Sequence, residues 1–452
     1  MSRGSSSRRS DPPVRVALLG FGTVGRAVAR ILTEQPPSRV QLTHIFNRRI
    51  AEKRVPWVPA AVQWTDRPDE VLGSDVDIVV EVVGGIEPAG GWVRRALQSG
   101  KSVVTANKQL IAHHGAELLA LADEHGVELR FEGSVAGGIP IVSALRDGLN
   151  GDRISHVAGI LNGTCNFILT SMEEHGAAFD TALQQAQRLG YAEADPTDDI
   201  EGYDARAKLA ILCGTALRAD VNPTAIAVRA VTQVDAVDFI HARRLGCTIR
   251  QISQAAWGDD HGDVLHAAVR PSLVPVDAPL ARVTGSQNIV VLRGQYGGET
   301  VFSGSGAGGG PTSVAVVSDV AAIARHGARV ATAVPVGAAE HIERPRTGPA
   351  TEAGRITPAR ISGEFVTPHY LRFVVRDRPG IIAAIAGAME RHAINIDAVL
   401  QLPAPSKEAL PFVVTIEACR PAVLASAMAE IAQLDFHVKA PVDLPMLAGG
   451  LA

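Results

Sequence analysis

The sequence predicts an α/β protein in three parts: a parallel sheet with helices, an α+β region, and a compact C-terminal unit of βαββαβ order. Short apolar strand candidates alternate with helical stretches from Val14 onward, which is typical of a parallel sheet with right-handed crossovers. From about Gly151 to His326 the chain is rich in long Ala/Leu helical segments. A length of 452 residues fits about three domains.

The strand candidates of the first region are short and apolar. They are VRVALLG, VQLTHIF, DIVVEVVGG, KSVVTAN and VELRFEG, and sequence of helical period separates each from the next. This pattern assigns residues 14–150 to the first domain. Residues 1–13 are basic, but no apolar stretch follows them, so we expect a disordered tail and not a secretory signal.

Changes in composition set the remaining boundaries. Residues 151–340 form the second domain, which contains the glycine-rich stretch SGSGAGGGPT, and its last helix is a candidate to return to the first domain. Residues 341–367 are polar, rich in Pro and Gly and without period, which predicts a linker. Residues 368–445 alternate strand and helix as βαββαβ, which predicts a ferredoxin-like domain.

Composition argues against several classes of function. The formal net charge is −4 and arginine is spread along the chain, so nucleic acid and anionic membrane surfaces are not expected partners. No apolar run of the sequence reaches the roughly 18 residues of a membrane span. The four cysteines stand far apart without a CxxC pair, which argues against a zinc site or a disulfide scaffold. We therefore expect a soluble protein of a reducing compartment, the cytoplasm.

The stretch GFGTVG, with Gly20, Gly22 and Gly25, follows the first strand and opens a helix. In this context a GxGxxG predicts a Rossmann-type dinucleotide site: the first glycine allows the turn, the second lets a pyrophosphate approach, and the third lets helix and strand pack closely. The phosphates would lie at the helix N-terminus, which favours anions. The alternative is a tight turn without a ligand.

Two arginines, Arg48 and Arg49, follow the second strand, where an NAD-specific site usually places an acidic residue. Arginine pairs with a 2′-phosphate, whereas a carboxylate repels it. The sequence therefore favours NADPH, with NADH as the alternative. An ordinary pair of solvated surface arginines is the other interpretation.

The stretch GYAEADPTDDIEGYDARAK concentrates acidic residues between Gly190 and Lys208. A helix through its end places Asp204 and Lys208 on one face, four residues apart. Carboxylates suit a substrate with an ammonium group, and they keep a nearby lysine protonated. Such a lysine can give a proton to an oxygen while a hydride reaches the attached carbon. The alternative is a helix surface with an ordinary ion pair.

Several motifs in one order carry a resemblance to a known family. They are GFGTVG, EVVGGIEP, VVTANKQL, FEGSVAGGIPIV, GILNGTCNFILT, the acidic stretch and SGSGAGGGPTSVAVVSDV. Over nearly its whole length the chain resembles homoserine dehydrogenase, in the longer form with a catalytic and dimerisation domain and a C-terminal ACT domain. The resemblance implies reversible reduction of L-aspartate 4-semialdehyde to L-homoserine, a step of threonine and methionine biosynthesis.

The resemblance also implies roles for residues of the active site. Lys208 looks like the general acid, and Lys108, in TANK, looks like a second active-site lysine near cofactor and substrate. The acidic positions that match those holding the substrate's amino group and orienting the lysine are Glu193, Asp199 and Asp204, with Gly190 in the same loop.

Further positions match the family's cofactor and cation sites. The expected cofactor contacts, besides the three glycines, are Phe21, Thr23, Val24, Lys108 and, covering the nicotinamide end, Gly306. The family binds a monovalent cation, usually sodium, mostly through backbone carbonyls. The matching positions are Glu132, Val135, Gly137 and Ile139.

The C-terminal unit resembles an ACT domain, in which Gly380 lies in the strand-to-helix turn and Asn395 lies where the second strand begins. Such domains pair between subunits and bind an amino acid, here L-threonine, so we expect a homodimer or homotetramer that is inhibited by this effector. The alternative is a purely structural role in dimerisation.

The chain departs from the family pattern at Arg270-Pro271 and Ala278-Pro279, where many relatives read His-Pro. Neither position is assigned to chemistry. Two rival functions stay open. One is an aldehyde dehydrogenase acting on an acyl phosphate with Cys165 as nucleophile. The other is an amino-acid sensor without catalytic activity, which the retained Lys108 and Lys208 disfavour.

Overall fold

The computed structural model describes residues 12–258, 264–332, 356–403 and 406–447. Most of the predicted tail (residues 1–11) and part of the predicted linker (residues 341–355) lie outside these ranges. The chain divides into two compact units. The first runs to Ser143 and resumes at Ala307–Ile356, and the second contains Ala144–Gly306 and continues from Thr357.

In the first unit, the described residues form a parallel sheet of six strands in the order β3-β2-β1-β4-β5-β6. The strands are β1 (Val14–Leu19), β2 (Val40–Phe46), β3 (Gln63–Thr65), β4 (Ile78–Glu81), β5 (Ser102–Thr105) and β6 (Leu129–Arg130). The helices are α1 (Thr23–Glu34), α2 (Ile50–Lys53), α3 (Pro68–Leu72), α4 (Ala89–Gln98), α5 (Lys108–Glu124) and α6 (Ile141–Ser143). The predicted Rossmann-type sheet is confirmed, because this strand order is that of dinucleotide-binding folds.

The second unit is built on a mixed sheet. Its strands up to residue 306 are β7 (Ile154–Ile160), β8 (Ala219–Asp220), β9 (Ala227–Val228), β10 (Cys247–Trp257), β11 (Val264–Pro275), β12 (Gln287–Gly294) and β13 (Gly298–Ser305). Its helices are α7 (Gly163–His175), α8 (Phe179–Arg188), α9 (Thr197–Ile200), α10 (Tyr203–Ala216) and α11 (Ala236–Arg244). The main sheet runs β13-β12-β7-β10-β11, so β7 is an inner strand. An α+β second domain is therefore observed.

Helix α12 (Gly309–Thr332) belongs to the first unit. Its buried residues Val316 and Val320 join the same hydrophobic cluster as Val28 and Ala29 of α1. Although α12 has 24 residues, no helix in the described part of the chain is both long and apolar enough to cross a membrane.

The C-terminal part begins with two short strands that pair with the second unit. These are β14 (Thr357–Pro358), beside β8, and β15 (Arg360–Ser362), beside β11. The elements that follow are β16 (Thr367–Val375), α13 (Ile381–Arg391), β17 (Ile396–Gln401), β18 (Leu410–Cys419), α14 (Pro421–Ile431) and β19 (His437–Pro445). They form an antiparallel sheet in the order β17-β18-β16-β19, so the predicted ferredoxin-like domain is confirmed.

This C-terminal sheet packs directly on the core of the second unit. Tyr370 and Leu444 share one hydrophobic cluster with Leu169 of α7 and Phe239 of α11. All four of these side chains are buried. The two parts of the second unit therefore share apolar surface that neither buries alone.

A buried ionic network joins the same two parts. The Asp238 carboxylate on α11 accepts hydrogen bonds from Tyr370 Oη at 2.7 Å and from Arg372 Nη1 at 2.5 Å. It also accepts the backbone N–H of Asp235, which caps the helix. Asp238 is fully buried, so its charge depends on these donors.

Arg270, in β11, is 8% exposed. Its guanidinium carbon lies 5.5 Å from the centre of the Phe365 ring, in the segment that leads into β16. Burial, and then the neighbouring charge of Arg229, lowers the pKa of Arg270 to about 10. This arginine therefore packs the connecting segment against β11.

Replacing Tyr370 by Phe tests the network, because the change removes a donor to Asp238 and keeps the ring. We expect the free energy of unfolding to fall by about 1–3 kcal/mol, the cost of taking one hydrogen bond from a buried group. Thermal unfolding measures it, with Tyr296→Phe as the matched control at an 84% exposed tyrosine. Equal melting temperatures for Tyr370→Phe and the wild type would contradict this role.

Candidate active site

The glycine turn after β1 has two crowded positions and one open position. Gly20 has a φ of +108°, and a Cβ there would lie 2.9 Å from the Val82 carbonyl oxygen. A Cβ on Gly25 would lie 2.2 Å from the carbonyl oxygen of Gly20. No described atom lies within 4 Å of a Cβ built on Gly22. The turn therefore requires glycine at residues 20 and 25 for packing and leaves space at Gly22 for a ligand.

Helix α1 starts at Thr23 without an acidic residue in its first turn and without a side-chain cap among the described contacts. Its first backbone N–H groups can therefore bind the phosphates of a dinucleotide. Thr23 is exposed and Val24 half-buried, while the Phe21 side chain is 2% exposed and its ring lies 4.9 Å from that of Trp64. The Phe21 ring is part of the core, so a ligand has little access to it.

Arg48 and Arg49 are exposed at the carboxyl end of β2, the strand next to β1. The Asn47 side chain accepts the backbone N–H of Arg49 at 2.9 Å, and the Arg49 guanidinium lies 3.6 Å from Glu52. The carboxyl ends of β1 and β2 are where such folds bind the ribose end of a dinucleotide. Arg48 and Arg49 therefore lie at the edge of the sheet where the ribose end would bind.

Lys108 is the first residue of α5, directly after β5. Glu81 fixes the edge of the sheet from which α5 starts. Its carboxylate is fully buried at the end of β4 and accepts a hydrogen bond from Thr105 Oγ1 at 2.6 Å. Asn107 caps α5 at Leu110 and donates to a backbone carbonyl after β4 at 2.6 Å. Neither Glu81 nor Asn107 was predicted from the sequence to have a role, although Asn before a helix is an N-cap signal.

The loop before α6 contains the predicted cation ligands. The Glu132 carboxylate accepts two backbone N–H groups of α6, at 2.8 and 2.7 Å. The carbonyl of Ile139 accepts a backbone N–H at 2.8 Å. Within the described ranges, no hydrogen bond ends on the carbonyl oxygens of Val135 or Gly137. These two carbonyls suit a hard cation that prefers oxygen ligands.

In the second unit, Lys208 is 9% exposed and Asp204 is 6% exposed. Lys208 Nζ donates to Asp204 Oδ2 at 2.8 Å and to the carbonyl oxygen of Leu161 at 2.9 Å. A buried ammonium needs such acceptors, because water does not solvate it there. The predicted lysine and carboxylate are therefore a buried pair and not an exposed helix pair.

Asn162 connects this pair to a second carboxylate. Its Nδ2 donates to Asp199 Oδ1 at 2.6 Å and to Asp204 Oδ2 at 2.8 Å. Its Oδ1 accepts the backbone N–H of Cys165 at 2.8 Å and so caps α7. From the sequence, Asn162 belongs to a motif without an assigned role. Its position before Gly-Thr and an apolar helix is the local signal for such a cap.

The acidic stretch separates into two groups. Asp199 is half-buried beside Asp204, and burial raises its pKa, although the Asn162 amide and the Lys208 charge act in the opposite direction. Glu193 and Gly190 lie in the exposed loop between α8 and α9, where Gly190 has a φ of +77°. The structure thus places Asp199, but neither Glu193 nor Gly190, in the hydrogen-bonded cluster of Asp204 and Lys208.

Gly306 lies against Asn288, so that a Cβ at Gly306 would be 2.0 Å from the Asn288 side-chain carbon. Asn288 is 1% exposed and donates from Nδ2 to the Leu161 carbonyl at 3.0 Å. A side chain at residue 306 would displace a donor to the same carbonyl that Lys208 uses. Glycine at residue 306 is therefore required by the packing of Asn288 beside Lys208.

Cys165 is fully buried near the start of α7, and its Sγ donates to the Asp199 carbonyl oxygen at 3.1 Å. Burial first, and then the charges of Asp199 and Asp204, raise the pKa of Cys165 well above its usual value. A thiol with a raised pKa and no exposure is a poor nucleophile. This argues against the aldehyde dehydrogenase alternative.

A glycine turn on a sheet of this strand order, together with a buried lysine and carboxylates, is the combination of a nicotinamide-dependent dehydrogenase. Comparison with family models agrees. Residues 20–132 match the NAD-binding domain of homoserine dehydrogenase, residues 140–321 match the homoserine dehydrogenase domain, and residues 369–436 match the ACT domain.

Individual relatives agree as well. The homoserine dehydrogenase of Mycobacterium tuberculosis is 40% identical over 403 residues, which cover 86% of this chain and 87% of that protein. That of Bacillus subtilis is 36% identical and covers 89% of this chain and 91% of its own length. The crystal structure of a homoserine dehydrogenase from Thiobacillus denitrificans matches with a TM-score of 0.85 at 35% identity, over 96% of this chain and 98% of that one.

The chain belongs to the homoserine dehydrogenase family and carries a C-terminal ACT domain. It is an enzyme of amino-acid biosynthesis with a nicotinamide cofactor. A hyperthermophilic archaeal homoserine dehydrogenase, solved in complex with NADPH, matches with a TM-score of 0.58 at 30% identity over 68% of this chain and 96% of that chain.

Alanine at two glycines of the turn separates ligand binding from folding. Gly22→Ala is expected to keep the melting temperature and to weaken cofactor binding by about tenfold or more, a cost of about 1.4 kcal/mol, because the new methyl enters the open space. Gly25→Ala is expected to lower the free energy of unfolding by about 1–3 kcal/mol through overpacking. Calorimetric titration with NADP⁺ and thermal unfolding measure the two effects; cofactor affinity unchanged by Gly22→Ala would refute the first.

Proposed function

We propose that Lys208 is the general acid when the enzyme reduces L-aspartate 4-semialdehyde to L-homoserine. NADPH, when bound, would supply the hydride that reduces the aldehyde carbon. The proton of the Lys208 ammonium passes to the aldehyde oxygen as the C=O double bond becomes an alcohol, and the lysine regains a proton from solvent. The observation that carries the proposal is the buried ammonium, which Asp204 and the Leu161 carbonyl hold at 2.8 and 2.9 Å.

The carboxylates have different roles in this proposal. Asp204 already accepts from Lys208 and from Asn162, so it orients the lysine. Asp199 is half-buried and accepts from Asn162, and its charge attracts the ammonium group of the substrate. Glu193 is exposed in the neighbouring loop, where its carboxylate adds to the same attraction. In the reverse direction the neutral lysine is the base that takes the hydroxyl proton of homoserine.

Lys108 is the second lysine of the proposal. It lies at the carboxyl end of the parallel sheet, where α/β enzymes bind their ligands. Glu81 and Asn107 fix the strand ends from which α5 starts, so the backbone of Lys108 is well positioned. Its charge is suited to the cofactor phosphates or to the substrate carboxylate.

NADPH is the proposed cofactor, because Arg48 and Arg49 are exposed at the end of β2. A guanidinium pairs with the 2′-phosphate that NADH lacks. The archaeal relative that was solved with NADPH is consistent with this preference.

A monovalent cation, sodium in the proposal, would be held by backbone oxygens of the loop that contains Glu132, Val135, Gly137 and Ile139. The unused carbonyls of Val135 and Gly137 support it. When bound, such a cation would fix the loop through its carbonyl oxygens. Activity that is independent of sodium, after exchange into a bulky organic cation, would count against it.

For the ACT domain we propose L-threonine as the inhibitory effector and a homodimer or homotetramer as the assembly. Gly380 caps α13 with a φ of +93°, and the exposed Asn395 donates from its side chain to Glu417 at 2.8 Å. Both lie at exposed turns of the domain. Rates that do not respond to threonine would reject the effector, and a monomer in sedimentation would reject the assembly.

Lys208→Ala tests the general acid. We expect kcat for homoserine oxidation with NADP⁺ at alkaline pH to fall by about 10²- to 10⁴-fold, the usual contribution of a positioned acid or base. Lys407→Ala is the control, because the Lys407 side chain is 83% exposed. Equal kcat in Lys208→Ala and the wild type would remove Lys208 from the mechanism.

Replacing Arg48 and Arg49 by Ala tests the cofactor preference. The KM for NADPH is expected to rise by about 10- to 100-fold, from loss of hydrogen bonds to a charged group, while the KM for NADH stays unchanged. Arg30→Ala, at an exposed arginine of α1, is the control. A wild type with equal kcat/KM for both cofactors would contradict the preference.

A further inference from the structure

We propose that Asn162 is a positioning residue for the reaction, in that its amide nitrogen holds the carboxylates of Asp199 and Asp204 in one arrangement and thereby directs the Lys208 ammonium. This rests on the proposed role of Lys208. The geometry is complete: one nitrogen with two hydrogens meets two carboxylate oxygens, at 2.6 and 2.8 Å.

The orientation of the Asn162 amide is determined by its surroundings. Its Oδ1 accepts the backbone N–H of Cys165 at 2.8 Å. The opposite orientation would point an amide oxygen at two carboxylates and an NH₂ group at an N–H donor, so both contacts would be repulsive. With 3% exposure, Asn162 also has little access to water as a substitute partner.

A neutral donor suits this position better than a charged one. Two carboxylates at close range repel each other, and each gains from a hydrogen bond to its charged form. An arginine or a second lysine would supply those bonds but would cancel the negative charge that attracts the substrate's ammonium group. The asparagine amide supplies two hydrogen bonds and leaves the net charge in place.

The neighbouring residue reinforces the arrangement. The Leu161 carbonyl accepts from Lys208 at 2.9 Å and from Asn288 at 3.0 Å. Leu161 and Asn162 are consecutive residues after β7, an inner strand of the sheet. The dipeptide Leu161-Asn162 therefore supplies an acceptor to the lysine and a donor to both carboxylates. The positions of Lys208 and of the two carboxylates are thus fixed by the same short segment of backbone.

The amide also affects the ionisation of Asp199. The charged and titratable groups that face this carboxylate are Asp204 and Lys208 from α10 and Cys165 from α7. Burial raises the pKa of Asp199, and the hydrogen bond from Asn162 lowers it. Loss of the amide donor would therefore raise this pKa further. Since ionised Asp199 attracts the substrate, the acid limb of the pH–rate profile would then move to higher pH.

Asn162→Ser tests the proposal, because a serine can still cap α7 while the two-hydrogen donor is lost. We expect kcat/KM for homoserine to fall by about 10- to 100-fold, with the acid limb displaced to higher pH and the KM for NADP⁺ unchanged. The matched control is Asn222→Ser, at an exposed asparagine whose side chain caps a short helix of the same unit.

A double variant strengthens the test. If Asn162 acts through Asp199, the two substitutions remove one and the same interaction. Asn162→Ser should then lower kcat/KM much less in the Asp199→Asn background than in the wild type. Fully multiplicative losses in the double variant would overturn this route.

Two results overturn the proposal. The first is an Asn162→Ser variant whose kcat/KM for homoserine and whose acid limb of the pH–rate profile are both those of the wild type. The second is a loss of activity that is accompanied by a lower melting temperature but by no change in the acid limb, which would reduce Asn162 to a helix cap. If Lys208→Ala is inactive while Asn162→Ser equals the wild type, the positioning role fails and the proposed function stands. If Lys208→Ala retains full activity, the proposed function itself fails.

Discussion

The second unit is organised around one constraint: the ammonium of Lys208 is removed from water and must still be neutralised. Asp204 and the Leu161 carbonyl meet this requirement at 2.8 and 2.9 Å. Each of these acceptors is then shared with an amide, Asp204 with Asn162 and Leu161 with Asn288. Breaking one member would leave a buried charge or a buried polar group without its partner, which costs more than the contact itself contributes. The charge therefore determines which residues surround it.

In the first unit, close packing and buried hydrogen bonds fix the backbone around the dinucleotide turn. A dinucleotide needs exposed backbone N–H groups and an open approach, so the glycine turn has to be fixed without filling it. Crowding at Gly20 and Gly25 fixes the turn, while the position above Gly22 stays open. At the neighbouring strand ends, the buried carboxylate of Glu81 bonds to Thr105 and to two backbone amides. Both units thus place a buried polar network beside residues that are proposed to bind a ligand.

The sequence predicted the features that depend on neighbouring residues. The β1–turn–α1 segment, the βαββαβ order and the i,i+4 placement of Asp204 and Lys208 are local patterns. Features that depend on distant contacts were missed. The strand β3 is three residues long and gives almost no periodic signal. In β10, ten consecutive residues are buried, among them Arg250 and Ser253. The strand therefore lacks the alternation of apolar and polar residues that predicts a half-buried strand, and the region was predicted to be helical. The role of Asn162 follows from partners 37 and 42 residues away.

The shared core of the ACT domain and the catalytic part has a consequence for engineering. Tyr370, Val413 and Leu444 of the C-terminal sheet complete a cluster that also contains Cys165 and Leu169 of α7, the helix that Asn162 caps. A shortened gene that ends before residue 357 would expose that cluster to solvent and leave Asp238 without Tyr370 and Arg372. The ACT domain is thus also a structural cover for α7. Substitutions at exposed turns of the ACT domain would keep this shared core, whereas truncation would remove part of it.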